Sequence, residues 1–97
     1  MAKARVIVIN GKDNVATALE SLRRGVEIAV EIQDNVEKVT LVSDIPPGHK
    51  FALRDIKKGD SVIKYGEPIG QSLAKIVRGE HVHVHNVTSK PRLRRKQ

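Results

Sequence analysis

The chain has 97 residues, too few for a second domain and too few for a dinucleotide-binding fold, an α/β barrel or a doubly wound sheet. The formal net charge of +7 invites a nucleic-acid reading, but only Phe51 and Tyr65 are aromatic, so stacking platforms for single strands are almost absent and the core must be aliphatic. The absence of cysteine excludes disulfide scaffolds, cysteine–zinc sites and thiol catalysis and suits a cytoplasmic protein; apolar runs of about four residues exclude a membrane helix.

In chain order, Ala4 to Ile9 is rich in Val and Ile and reads as a buried strand closed by Asn10-Gly11. Asp13 or Asn14 then caps a short helix predicted over Val15 to Leu22, with Val15, Ala18, Leu19 and Leu22 on one stripe and Gly25 as its stop. Val26, Ile28, Val30 and Ile32 alternate with polar or small residues, the mark of a half-buried strand. Gln33, Asp34 and Asn35 form a turn into a partner strand, Val36 to Val42, with Val39 and Leu41 on one side. Ser61 to Tyr65 is a further strand. The stretch from Gly70 to Ile76 reads as either a short helix or a strand entry. A last strand runs from His81 to Val87.

One phrase recurs four times. Leu22-Arg23-Arg24-Gly25-Val26-Glu27-Ile28 is apolar-x-x-Gly-x-x-apolar. Units led by Ile45, Ile56 and Ile76, with Gly48, Gly59 and Gly79, repeat it. Each unit puts glycine at a tight turn and enters a strand three residues later. The spacing between units is irregular, which excludes a solenoid and points to many short, sharply connected strands.

Residues 1–88 are read as the domain and residues 89–97 as a flexible basic tail. Lys90, Arg92, Arg94, Arg95 and Lys96 hold five of the 18 positive charges, so the preceding 89 residues carry a net of only +2. No helix-turn-helix, zinc finger or aromatic RNA-binding motif accompanies the tail, and nucleic acid is not the expected partner.

Chemistry concentrates in His81-Val82-His83-Val84-His85-Asn86. On a strand the three imidazoles share one face about 7 Å apart, with Val82 and Val84 turned to the core. Imidazole titrates near neutrality and suits proton transfer. These three alone bind one metal ion only if the strand bends, because all must approach to about 2 Å. A second proton carrier, His49, sits beside the cation Lys50 after the Gly48 turn, a pairing suited to a carboxylate substrate. Lys64 and Tyr65 precede the Gly66 turn.

Several segments in order resemble a known family. They are Asp13-Asn14-Val15-Ala16, the run from Ile45 to Ile56, Val62 to Gly66, Pro68-Ile69-Gly70, and Gly79 to Asn86. Together they resemble the N-terminal SAF domain of the altronate/galactarate dehydratases. The resemblance implies a mainly β, SAF-type β-clip of short bent strands, here with one short helix near the N-terminus. The chain is also similar to the small subunit of sulfolactate sulfo-lyase, which eliminates sulfite instead of water. Family enzymes continue into a larger catalytic domain, so the resemblance implies a small subunit or the N-terminal domain of a longer enzyme, inactive alone, that contributes to or covers the active site of a large catalytic partner. The chemistry is elimination from a sugar acid, with a divalent metal (iron or manganese) expected in the partner. On this reading His83, His85 and His49 are the candidate catalytic residues, and Lys50, His81, Asn86 and Lys64 the candidate substrate contacts. No metal ligand is assigned, and assembly as a homo-oligomer stays open. A sugar-acid-binding module without catalysis is the alternative class.

Overall fold

The computed structural model describes residues 6–7, 11–32 and 35–88. Nine short strands occur in it: β1 (Val6–Ile7), β2 (Val15–Ala18), β3 (Glu27–Ile32), β4 (Asn35–Thr40), β5 (Lys50–Ala52), β6 (Ser61–Lys64), β7 (Glu67–Ser72), β8 (His81–Val82) and β9 (Val87–Thr88). They form a four-stranded sheet in the order β1-β2-β5-β8, a β3-β4 hairpin and a three-stranded sheet in the order β6-β7-β9, with all pairings antiparallel. The basic tail from residue 89 onward lies outside the described residues.

The four sequence units have one local structure. Each glycine has a positive φ, between 82° and 89°. The lead residues join in pairs: Leu22 and Ile45 exchange two backbone hydrogen bonds of 2.9 and 2.8 Å, and Ile56 and Ile76 exchange two of 2.8 Å. The glycine amide of each unit donates to the chain just ahead of its partner unit: Gly25 to Leu41, Gly48 to Ala18, Gly59 to Ser72 and Gly79 to Ala52, all at 2.8 Å. Asp44 accepts from the Arg24 amide at 2.8 Å in the first pair, and Asp55 accepts from the Arg78 amide at 2.9 Å in the second. The repeat in the sequence is thus a repeat of hydrogen bonding, and it folds the chain back on itself twice.

Two aliphatic cores follow from the alternation of β2, β5 and β8. Ala16, Ala18, Phe51 and Leu53 join Leu22, Ile28, Val30, Val39, Leu41 and Ile45 on one side of the sheet. Val15, Ala52 and Val82 join Ile56, Val62 and Ile76 on the other. This two-sided burial explains why the expected helix at residues 15–22 is absent. Val15 and Ala16 must serve opposite cores, which a strand achieves and a helical stripe does not. Leu19, assigned to that stripe, is exposed. Among the described residues there is no helix.

Asp13 and Asn14, read from sequence as helix caps, instead clamp the β6–β7 hairpin. The Gly66 amide donates to Asp13 Oδ1 at 2.8 Å. Asn14 accepts from the Ile63 amide at 2.7 Å and donates from Nδ2 to the Ser61 carbonyl at 3.0 Å, beside the irregular register at Val62/Ile63. The open choice at Gly70 to Ile76 resolves as strand β7 followed by the fourth turn unit.

The last predicted strand, His81 to Val87, is interrupted. β8 ends at Val82, residues 83–86 turn, and β9 resumes at Val87. The His83 carbonyl accepts from the Asn86 and Val87 amides at 3.1 and 3.0 Å, closing the turn. Val84, expected in the core, is 78% exposed at its tip.

Not all four glycines are equally replaceable. Gly59 has open space where a Cβ would stand, whereas a Cβ on Gly79 would run into the Thr40 carbonyl oxygen. Gly59→Ala is therefore expected to cost about 1–2 kcal/mol for the left-handed backbone alone. Gly79→Ala should cost more, because β4 must also shift. Denaturant unfolding of both variants, followed by circular dichroism, measures the difference; equal losses would contradict the close approach.

Candidate functional site

The site is set by the register of β5 against β8. Phe51 pairs with His81 and Lys50 with Val82. His49 precedes β5 and His83 follows β8, just beyond the last pair of the ladder. Their rings stack with centroids 3.8 Å apart and planes 12° apart. His81, diagonal to His49, brings its Nε2 within 2.8 Å of His49 Nδ1. One nitrogen of that contact must be a donor and the other a lone pair, so the two rings cannot both carry a proton there.

His49 therefore belongs to the histidine group that the sequence placed on a single strand. It comes from the second turn unit, at the entry to β5. His81, His83 and His49 are all half-buried, and one ring nitrogen from each lies within 4.8 Å of the others. His85 falls in the 83–86 turn and is exposed; its ring is tilted at 31° with its centroid 5.1 Å from that of His81. The expected row of three along a straight strand is thus replaced by a cluster of three across two strands, with His85 at the margin.

Asn86 has a different place from the one expected. It is 5% exposed, and its side-chain amide is spent on the backbone. Oδ1 accepts from the His83 amide at 2.9 Å, and Nδ2 donates to the His81 carbonyl at 2.9 Å. It positions both histidines and shapes the turn that carries His83 away from the strand.

Lys50 points to the opposite side of β5 from His49. It lines an open cleft of about 430 Å³ together with His83, Ile69, Leu73, Val82, Val84, Val87 and Thr88. His83 reaches this cleft because the strand breaks at that residue. The cleft wall of Ile69, Leu73 and Val87 was not singled out in the sequence; only the pairing of β7 with β9 brings it together. Burial pushes the Lys50 ammonium below its ordinary pKa, and the nearby charge of Lys64 pushes it the same way. The Lys64 ammonium stands 4.8 Å from the centre of the Tyr65 ring, at the tip of the β6–β7 hairpin.

His81 and His83 are both held below the ordinary histidine pKa. For each, loss of solvent is the largest cause, followed by repulsion from His49 and then from other neighbours that include His85 and Lys50. Both shifts favour the neutral ring at neutral pH.

Two outcomes follow. As pH falls, the unfolded chain binds protons at His81 and His83 from about 6.5, the ordinary histidine value, before the folded chain does. Stability is then complete above that pH and falls as pH is lowered through the folded pKa values. Thermal melts across mildly acidic pH should show this fall, and His81→Gln should flatten it. Asn86→Ala removes two hydrogen bonds of about 0.5–1.5 kcal/mol each. It should destabilise the chain by about 1–3 kcal/mol and shift the ring resonances of His81 and His83 in nuclear magnetic resonance spectra.

Comparison with known proteins gives a consistent result. Residues 4–90 match the family model described as the altronate/galactarate dehydratase SAF domain. The chain is 55% identical over 80 residues to altronate dehydratase of Escherichia coli (strain K12), covering 82% of this chain and 15% of that protein. It is 45% identical over 64 residues to (2R)-sulfolactate sulfo-lyase subunit alpha of Paracoccus pantotrophus, covering 65% of this chain and 96% of that subunit. Galactarate dehydratase (L-threo-forming) of E. coli (strain K12) is 36% identical over 76 residues, which are 78% of this chain and 14% of that enzyme. The chain thus spans about a seventh of the length of the dehydratases it matches.

Proposed function

Since the chain belongs to the altronate/galactarate dehydratase SAF-domain family, we propose that it acts as the small partner of a sugar-acid hydro-lyase, contributing side chains to, or covering, an active site completed by a larger catalytic chain. The observation that carries this reading is the cleft in which His83 and Lys50 face an apolar wall. A proton carrier, a cation for a carboxylate and surfaces that exclude water are what elimination from a hydroxy acid needs. The match along nearly the whole of a sulfo-lyase subunit alpha supports a domain of this kind working beside a separate chain.

In the elimination, a base removes the proton α to the carboxylate and the β-hydroxyl departs as water; the resulting enol tautomerises to a 2-keto-3-deoxy acid. Lys50 holds the carboxylate and draws charge from the developing enediolate. His83, neutral at rest, takes a proton at the mouth of the cleft and returns it to the departing hydroxyl. His49 and His81, hydrogen-bonded to each other, accept or supply the proton behind it. His85, exposed at the margin of the cluster, and Lys64, behind Lys50, extend the site toward the partner and the distal end of the substrate. On this reading a divalent ion, iron or manganese, would be held by the partner chain and would supply Lewis-acid stabilisation of negative charge on the substrate. Among the described residues no helix is long and apolar enough to cross a membrane, and a cytoplasmic location accords with a chain without cysteine.

Altronate is the favoured substrate, on the 55% identity to an altronate dehydratase. Sulfolactate, with loss of sulfite, is the second reading, on the near-complete span of the sulfo-lyase subunit. The test is to purify the native complex through a tag on this chain and assay altronate, galactarate and sulfolactate. Dehydration of altronate is expected, with kcat lowered by about 100-fold or more in His83→Ala and an unchanged melting temperature. Full activity in that variant would remove His83 from the mechanism; sulfite release without dehydration would select the second reading.

A further inference from the structure

We propose that His49, His81 and His83 form a binding site for a divalent first-row transition metal on this chain itself, separate from any ion held by a catalytic partner. The three donors lie within 4.8 Å of one another, from three backbone settings. His49 follows a turn unit, His81 sits in β8, and His83 begins the turn clamped by Asn86. Two bonds of about 2.0–2.1 Å at the tetrahedral angle hold their nitrogens about 3.4 Å apart. His49 Nδ1 and His81 Nε2 already stand 2.8 Å apart, so a small parting and tilt of the rings admits an ion.

The third ligand needs a specific movement. A metal lies in the plane of each imidazole that binds it, and the three planes here are within 15° of parallel. His83 must turn out of its stack on His49. It has room to do so, since it borders the open cleft beside Lys50. The paired backbone of β5 and β8 need not move. The two bonds from Asn86 keep the His81 and His83 main chain in place while the ring turns, as an outer-shell residue does in a built site.

The donor set defines the class of ion. Three imidazole nitrogens favour zinc, cobalt, nickel, copper or iron over magnesium and calcium, which take oxygen ligands. Three protein ligands leave coordination positions open toward the cleft, and because a metal-bound imidazole has no lone pair left to take a proton, the ion-bound state is distinct from the one in which His83 carries a proton.

The test uses the full chain and the metals alone. Titration with Co²⁺ at slightly alkaline pH should give one equivalent bound, with the visible absorption bands of a nitrogen-ligated ion, displaced by Zn²⁺ and not by Mg²⁺. Affinity should fall by more than about tenfold in each of His49→Ala, His81→Ala and His83→Ala, and be retained in His85→Ala. Ring ¹⁵N shifts of the unsubstituted chain with Zn²⁺ read the ligands directly, whether or not a variant folds. Shifts at His49, His81 and His83 support the site. No binding, or shifts that place His85 among the ligands and leave His49 out, would overturn it. Because binding is read on this chain alone, an inactive native complex would count against the lyase reading and not against the metal site.

Discussion

The constraint on which the site depends is the backbone pairing between Ala52 and the fourth turn unit. The Gly79 amide donates to the Ala52 carbonyl at 2.8 Å, and the Ala52 amide donates to the Glu80 carbonyl at 3.0 Å. These two bonds fix the register of β5 on β8. A slip of one residue would turn every side chain of β8 to the other face of the sheet. His81 would then point into the core that Val82 fills, and His49 would face a valine. The contact of Gly79 with β4 adds a second demand on the same turn, since it holds the β3–β4 hairpin against the end that carries the histidines.

The sheet also separates two kinds of chemistry. Histidines gather on the side of β5 that carries Phe51, and Lys50 emerges on the side that carries Ala52. In a regular strand His83 would stay with the other histidines. The break after Val82, closed by the Asn86 side chain, lets His83 stack on His49 and border the Lys50 cleft at once. One imidazole thereby belongs both to the histidine cluster and to the lining of the Lys50 cleft. The buried Asn86 is what makes this geometry reproducible, since a surface turn of this sequence would otherwise be free to extend the strand.

Much of the β architecture was legible in the residues. The repeated apolar-x-x-Gly-x-x-apolar phrase announces the turns because only glycine takes a φ near 90° without strain, and the structure gives all four units the same hydrogen bonds. What the phrase does not carry is which unit pairs with which, since that is decided by burial of Leu22 with Ile45 and Ile56 with Ile76 in separate cores. The helix expected at Val15 to Leu22 failed for the same reason: helical and two-sided strand patterns coincide over so short a run, and pairing with β1 and β5 selects the strand. His81 and His83 were legible as same-face neighbours. His49 as their partner was not, because its proximity arises 32 residues away in sequence from His81. The role of Asn86 was hidden likewise; an Asn after a histidine run looks like a surface contact until its burial is known.

The electrostatics of the site bear on what completes it. Lys50 is held below its ordinary pKa by burial and by Lys64, and His81 and His83 are held below theirs by burial and by each other's neighbours. All three shifts have one sign, that of a site that resists further positive charge. An anion relieves both strains at once, because it restores a partner for the Lys50 ammonium and lowers the cost of protonating His83. A carboxylate bound against Lys50 would therefore make the neighbouring imidazole a stronger base in its own presence than in its absence. Binding of an anion and protonation of His83 would then be coupled, because Lys50 and His83 share one cleft. This coupling needs no movement of the fold, only the ligand charge that the domain leaves to be supplied.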